Sequence, residues 1–310
     1  MNRLSPKIFP LTLGLLVFVG CTKSFDGMNT SPNSPTAIGP QYLLTYALEQ
    51  SIDRYWGGRT RFERLNIDAG ELWIQHLARN IYSNEGDNYE ASQALMLNNW
   101  RAFFNDGLLN YQRIMTITDE KGTAPNANYY GAALVMRTWV FSLLTDIFGA
   151  IPYSEAIKGT ASEPIYTPKY DTQEAIYAGL LADLKLANEK LSTTGPAING
   201  DILYGGSILK WKKFANSLRV RLANRQAAQK PAESRAILRE ILADPVKFPL
   251  FTTNDDNAAL KCTPVLPSNN EWNQVMIQDG RTDWNLSKTL VDRLLALDDA
   301  RLLAARDVAL

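Results

Sequence analysis

Residues 128–149 read NYYGAALVMRTWVFSLLTDIFG, and this stretch decides the fold. Tyr130, Leu134, Phe141, Leu144 and Phe148 recur at intervals of three, four and seven, the spacing that puts apolar side chains on one stripe of an α-helix. Gly149 followed by Pro152 is a helix stop, because glycine accepts the left-handed closing conformation and proline cannot continue the helix. Upstream, the same periodicity predicts a helix over 90–118 carrying Trp100, Phe103, Phe104, Leu108 and Met115, and another over 62–79. A first helix is marked by Tyr42, Tyr46, Glu49 and Ile52. Downstream, Pro152, Gly159, Pro164 and Pro168 make 151–170 a turn-rich surface excursion. Thr172 then caps a helix with Ile176, Leu180, Leu184, Ala187 and Leu191 on its stripe, which Gly195-Pro196 ends. A further helix opens at Ser207 and runs through Trp211, Phe214, Leu218 and Leu222. Pro231 suits the first position of the next, which extends to Ala243. Beyond Asp244 the loop formers Asp255, Asp256, Asn257, Pro264, Pro267, Asn269 and Asn270 precede a last helix over 287–297. Amphipathic helices joined by short breaks are helical hairpins, so the expected fold class is all-α dominated, a tetratricopeptide-like hairpin array with irregular loop insertions. No fixed 34-residue period is visible.

Composition narrows the function. The 310 residues are 45% hydrophobic and 21% charged, which is globular and not disordered. Lys and Arg number 32 against 32 Asp and Glu, so there is no basic excess of the kind that displaces counterions from nucleic acid. A single histidine, His76, and two cysteines, Cys21 and Cys262, exclude a His/Cys zinc site. No metal and no cofactor are expected.

The N-terminus reads as an address. Arg3 and Lys7 precede an apolar run from Ile8 to Val19 that is too short to span as a stop-transfer helix. The run closes on Leu15-Leu16-Val17-Phe18-Val19-Gly20-Cys21, which resembles a bacterial lipobox, so Cys21 is the expected lipidation site. Acyl chains, at about 0.8 kcal/mol per buried CH₂, would anchor the protein without a spanning helix. The expected organisation is a signal peptide over 1–20, an extended Ser/Thr/Asn/Pro tether over 21–37 and a helical domain over 38–310. Loss of the signal removes Arg3 and Lys7 and leaves acidic side chains two ahead of basic ones.

Several segments together carry a family resemblance. After Cys21 comes Phe25-Asp26-Gly27-Met28-Asn29-Thr30-Ser31-Pro32-Asn33-Ser34-Pro35. Asp146-Ile147-Phe148-Gly149-Ala150-Ile151-Pro152-Tyr153-Ser154-Glu155-Ala156 follows, then Pro168-Lys169-Tyr170-Asp171-Thr172 and Asp201-Ile202-Leu203-Tyr204-Gly205-Gly206. The most specific piece is Trp211-Lys212-Lys213-Phe214-Ala215-Asn216-Ser217-Leu218-Arg219. In order and spacing these resemble the SusD/RagB family of nutrient-binding outer-membrane lipoproteins. Ser207, where the family often has an acidic residue, and Ala300, where proline is common, depart from its pattern. The resemblance implies a helical scaffold tethered at the outer membrane of a Gram-negative bacterium, facing the cell exterior and lying as a lid on a SusC-like, TonB-dependent β-barrel transporter. It implies capture of oligosaccharide, or of peptide or another nutrient in some members, and not catalysis. Members are usually longer, so the chain is expected to be an N-terminal portion of the family length.

Glycan capture needs aromatic faces for sugar rings and amides for hydroxyls. Trp100, Trp139 and Trp211 lie on apolar stripes and are assigned to the core. Tyr82, Asn84 and Tyr89, in the break over 81–90, and Trp272, Asn273 and Trp284, in the late loop, are the candidate ligand-binding residues. His76 is read as a packing or surface residue with no chemical pairing to Arg79, and Arg219, Arg221 and Arg225 as a solvated or ion-paired face. Glycosidases use two carboxylates roughly 5–9.5 Å apart. Asp255-Asp256 and Asp298-Asp299 are adjacent in sequence, where side chains diverge, so both are read as turn formers or exposed charges. A helical platform that binds only a partner protein is the remaining alternative.

Overall fold

The computed structural model describes residues 38–56, 65–83, 86–159, 163–265 and 268–302. Cys21, the signal segment and the tether lie outside them. The compact unit that holds every element below spans Gly39–Leu310. Its helices are α1 (Pro40–Trp56), α2 (Gln93–Ala102), α3 (Leu109–Thr118), α4 (Ala127–Phe148), α5 (Gln173–Lys190), α6 (Ile208–Arg225), α7 (Pro231–Ala243) and α8 (Lys288–Ala296). Two three-residue strands, β1 (Leu77–Arg79) and β2 (Trp284–Leu286), form one antiparallel pair. The fold is the helical-hairpin array expected from the sequence.

α4 is the axis. Its N-terminus is capped by Asn126, whose side-chain oxygen accepts from the Asn128 and Tyr129 amides. Its end is set by Gly149 at φ 72° and ψ −117°, a conformation open to glycine and disfavoured for residues with a side chain. With a hydropathy of 1.3, α4 is long and apolar enough to cross a membrane, but 67% of that window is buried within the protein. It is a core helix. Residues on every face of it, among them Tyr129, Ala132, Leu134, Val135, Met136, Val140, Phe141 and Leu144, are buried.

Side-chain bonds fix how the hairpins run. Asn128, at the start of α4, donates to the carbonyls of Ser192 (3.0 Å) and Pro196 (2.8 Å) past the end of α5. Tyr177, at the start of α5, donates to Asp146 near the end of α4 at 2.6 Å, so the two helices are antiparallel. Midway, Arg137 pairs with Asp183 at 3.2 Å and Tyr153 donates to the same carboxylate at 2.8 Å. Lys212, early in α6, donates to the Asn188 (2.7 Å) and Leu191 (3.1 Å) carbonyls at the end of α5, which makes the next pair antiparallel too. Glu240 of α7 accepts from Lys185 of α5 and Arg219 of α6, both at 2.7 Å, tying three helices at one carboxylate. A buried turn leads into α6. The Asp201 carboxylate accepts from the Leu203 (3.0 Å), Tyr204 (3.1 Å) and Gly206 (2.9 Å) amides and from the Trp211 indole (2.8 Å).

Four expectations are corrected. α1 buries Leu43, Leu44, Ala47, Leu48 and Ser51, while Tyr42 and Tyr46 are exposed, so its core face is opposite the one the tyrosines mark. The helix expected over 62–79 is, within the described residues, a wide turn over Asn66–Gly70 and a helical turn over Glu71–Trp73, followed by β1. The excursion over 151–170 is pinned at its base. Ile151 is buried and bridges to Asp171, whose carboxylate accepts from the Tyr153 (3.1 Å) and Ser154 (2.7 Å) amides. Arg219 is ion-paired, to Glu240, as one of the two alternatives had it, but it is buried and not on a surface face.

Two carboxylates of this frame are driven in opposite directions. Burial pushes Asp183 above the ordinary 3.8 despite the Arg137 guanidinium beside it. The hydrogen bond from Lys185 leads in holding Glu240 below the ordinary 4.5. Protonation of Asp183 therefore favours the folded chain, and its contribution to stability grows as pH falls through its folded pKa. Glu240 stabilises above its unfolded pKa, and that contribution is lost as pH falls through the depressed value. Carbon-detected NMR titration of the carboxyl groups is expected to show Asp183 titrating above its ordinary 3.8 and Glu240 below its ordinary 4.5, and a shift of either in the opposite direction would refute this account of the α4–α7 frame.

Candidate functional site

β1 and β2 join segments separated by some 200 positions, with Leu77 opposite Leu286, Ala78 opposite Asn285 and Arg79 opposite Trp284. The ladder continues at both ends: the Asn80 amide donates to Asp283 (2.8 Å) and the Ser287 amide to His76 (3.0 Å). Ser287 is also the N-cap of α8, its hydroxyl accepting from the Leu290 amide at 3.0 Å. The strand pair is therefore clamped to a helix.

A buried cation lies beneath the pair. The Arg79 guanidinium donates to Asp68 at 2.8 Å, with the two side chains 2% and 8% exposed. It stacks 5.2 Å from the Trp284 ring and 6.0 Å from the Tyr82 ring. Trp272 meets Trp284 edge-on at 5.6 Å. Arg79, Tyr82, Trp272 and Trp284 thus form one cluster, with Trp284 as its floor and Tyr82 on its open side. The Asp87 carboxylate accepts from the Arg79 amide at 3.0 Å and holds the loop beside it. Gly86 is required there, because a Cβ would meet the Asp68 carbonyl and a Leu72 methyl at 2.5 Å.

The backbone of this loop is strained. Gln75 (φ 57°), Tyr82 (φ 62°) and Tyr89 (φ 61°) are left-handed, a region that side chains as bulky as tyrosine rarely enter. Such strain persists only where surroundings over-determine it, and it concentrates at functional sites. Gln75 is so determined. Its carbonyl accepts from the Ser287 hydroxyl, its side-chain oxygen accepts from Thr289 at 2.9 Å, and its amide nitrogen donates to the Tyr89 hydroxyl at 3.1 Å. The outcome is two tyrosine rings held into water, Tyr82 at 43% and Tyr89 at 59% exposed.

The sequence-predicted residues fall as follows. Tyr82, Trp272 and Trp284 are brought together around Arg79, and Tyr89 is attached through Gln75. Asn273 is exposed on the turn that carries Trp272. Its amide and that of Trp272 point to the Asn270 side chain at 3.4 and 2.9 Å, and its own side chain accepts from Gln278 at 2.9 Å. Asn84 lies outside the described residues. Trp284 is not a loop residue as expected; it is in β2, 3% exposed, because its position opposite Arg79 turns it inward. Arg79, Asp68 and Gln75 were missed. His76 has its partner in Glu71, at 3.1 Å, and not in Arg79. Leu77, Arg79 and Ile81 at alternating positions could have signalled a strand, but its pairing partner lies too far along the chain to be read.

One carboxylate of each adjacent pair serves structure. Asp256 accepts from both directions: Lys213 at 2.9 Å and the Thr252 (2.9 Å) and Thr253 (3.2 Å) amides, which together hold its carboxyl well below the usual range. Asp299 is pulled down to about 2 by Arg301. Among the described residues, no group of three or more His, Cys, Asp or Glu side chains is placed to hold a metal.

Comparison with known proteins places this geometry. The profile of the SusD-like family, described as starch-binding and associating with the outer membrane, matches residues 32–308. A solved chitin-binding protein is similar over 86% of this chain and 54% of its own, at 30% identity and a TM-score of 0.70. A Bacteroidetes SusD-like protein is similar over 86% of this chain and 50% of its own, at 26% identity and a TM-score of 0.72. A SusD/RagB family protein of Bacteroides thetaiotaomicron shares 26% identity over 85% of this chain and 53% of its own, with a TM-score of 0.68. The chain spans about half the length of these solved relatives. No curated protein matches it.

Removing Asp68 would take from the buried Arg79 guanidinium the carboxylate it donates to at 2.8 Å, a loss of about 3–5 kcal/mol for a buried pair. Asp68→Ala is expected to lower the urea midpoint accordingly and to expose the Trp284 ring, read as a red shift and increased quenching of tryptophan emission. A variant with unchanged midpoint and emission would refute the role given to this pair.

Proposed function

On the premise that the chain belongs to the SusD-like family of starch-binding, outer-membrane-associated proteins, we propose that it is a nutrient-binding lipoprotein that captures oligosaccharide at the Arg79 aromatic cluster. The observation that supports this reading is the pair of tyrosine rings, Tyr82 and Tyr89, exposed on left-handed backbone, the first of them 6.0 Å from the buried Arg79 guanidinium. Sugar rings stack their C–H faces on exposed aromatics, and a platform fixed in advance spares the ligand the cost of ordering it. Trp272 supplies a third, half-buried ring and Asn273 and Asn84 supply amides for hydroxyls, while Trp284 acts from below by fixing Arg79. The chitin-binding name of one relative makes β-linked N-acetylglucosamine oligomers the first ligands to test.

In this reading Cys21 carries the lipid, the folded unit sits at the outer membrane facing the exterior, and captured ligand passes to a TonB-dependent β-barrel beneath it. The family consists of binding proteins, and one carboxylate of each adjacent pair, Asp256 and Asp299, is occupied by structural bonds. The protein binds and hands over; it does not hydrolyse.

Glycine takes a positive φ freely, so Tyr82→Gly and Tyr89→Gly remove the rings while relieving strain. Calorimetric titration with chito- and malto-oligosaccharides is expected to show affinity falling about ten- to a hundredfold in the double variant, with thermal stability unchanged or raised. Equal affinity would dismiss the cluster as the binding site. Cys21→Ser is expected to abolish acyl labelling and release the protein from membranes. Purification of the acylated protein in mild detergent should retain a large β-barrel in fixed ratio, whose absence would remove the transporter from this proposal.

A further inference from the structure

The residues that follow the array bury apolar side chains in a seam of their own. Ile67 and Leu72 meet Val275 and Trp284 in a cluster distinct from the main core, with Trp272 and Met276 packed against it. One side of the seam belongs to the body, because Leu65, Ala69 and Trp73 pack on the main core. The other side, residues 272–302, is an arm made of a wide turn (Asn273–Gln278), β2 and α8. Among the described residues, the hydrogen bonds that tie this arm to the body all fall within residues 75–82. They are the β1–β2 ladder, the bonds of Asn80 to Thr282 and Asp283, that of Ser287 to His76, and those of Ser287 and Thr289 to Gln75.

The connector to the arm is slack. Leu260 is half-buried against the main core, but residues 261–265 are exposed, and the main-chain amides and carbonyls of Lys261 and Cys262 bond to no group among the described residues. Residues 261–271, at up to about 3.4 Å each, span about 35 Å when extended. Two strands of three residues are marginal by themselves, and a segment with few buried contacts opens at a free energy well below that of the whole fold. Opening here would take the aromatic cluster apart. Trp272 and Trp284 ride on the arm, while Arg79 and Tyr82 stay with the body. Gln75, which donates to the Tyr89 hydroxyl, would lose its bonds from Ser287 and Thr289.

We propose that residues 272–302 form a hinged arm that swings off residues 75–82 as one body, so that the aromatic cluster is whole only while the arm is docked. A ligand that touches rings on both sides of the seam binds the docked state and shifts the population toward it. That coupling rests on the oligosaccharide reading; the hinge itself does not.

The test is native-state hydrogen exchange on the whole chain. The amides of β2, of α8 and of Asn80 are expected to exchange at one common rate, about a hundredfold or more faster than those of α4. Exchange of α8 at the α4 rate, or rates that merely rise toward the end of the chain, would overturn the proposal. Ala78 and Asn285 stand opposite each other as a hydrogen-bonded pair, a Cα separation of about 5.5 Å that suits a disulfide. Ala78→Cys with Asn285→Cys, in a Cys21→Ser, Cys262→Ser background, is expected to close on oxidation within one chain and to slow α8 exchange about tenfold or more, reversibly on reduction. No slowing in the oxidised form, or a covalent dimer in its place, would overturn the arm. Chitohexaose is expected to slow exchange in α8 of the parent chain, although α8 carries none of the candidate ligand residues, and binding without that effect would overturn the coupling. Failure of both chitohexaose and maltohexaose to bind would count against the oligosaccharide reading alone, since the oxidised pair decides the arm without ligand.

Discussion

A helix that is apolar on all sides has to be covered on all sides, and α4 imposes that requirement on everything around it. Burial of its leucines, valines and aromatics draws α1, α3, α5 and α6 against it, each presenting its own apolar face. The polar groups that such packing traps are then spent on alignment. Asn128, Arg137 and Asp146 leave α4 at its start, middle and end, and each meets a partner on or just beyond the neighbouring helix. Hydrophobic burial is non-directional, so these bonds set which way each hairpin runs and where it stops.

Carboxylates do a second job in the loops. Asp201, Asp171 and Asp256 each gather two or three main-chain amides, closing turns that no helix ladder would satisfy. Asp201 goes further by accepting from the buried Trp211 indole, so the turn before α6 and the core of α6 are one unit. Of the adjacent acidic pair that most resembles a catalytic one in the sequence, Asp256 is thereby engaged, accepting from Lys213 and the amides of Thr252 and Thr253.

How legible was this in the sequence? α4, α5, α6, α7 and α8 could be placed to within a residue or two because their boundaries are set by local chemistry: Thr172 and Ser287 as caps, Pro231 at a first turn, Gly149 at a stop. The failures are non-local. α1 carries apolar residues on more than one face, and only the packing against α4 chooses Leu44 and Leu48 over Tyr42 and Tyr46. The wide turn over Phe103–Leu108 shifts the helical phase between α2 and α3, so Phe103 is fully buried while its neighbour Phe104 is only partly so. β1 and β2 are three residues each and pair across the length of the chain, below any periodic signal. In the candidate site the exposed aromatics were readable from their polar surroundings, but the cation that orders them was not, because Asp68 and Arg79 look like two separate surface charges until the fold buries them together.

That pairing explains why so small a sheet exists. Two strands of three residues are marginal in water on their own. Here the opposed pair Arg79 and Trp284 turns inward and stacks, Asp68 neutralises the guanidinium, and Ser287 extends the ladder while capping α8. Gln75, beside the ladder, then takes a strained backbone because its carbonyl and both ends of its side chain are occupied, and the Tyr89 ring is positioned through it. The exposed tyrosines of the 75–89 loop are therefore presented by residues 284–289, some 200 positions later.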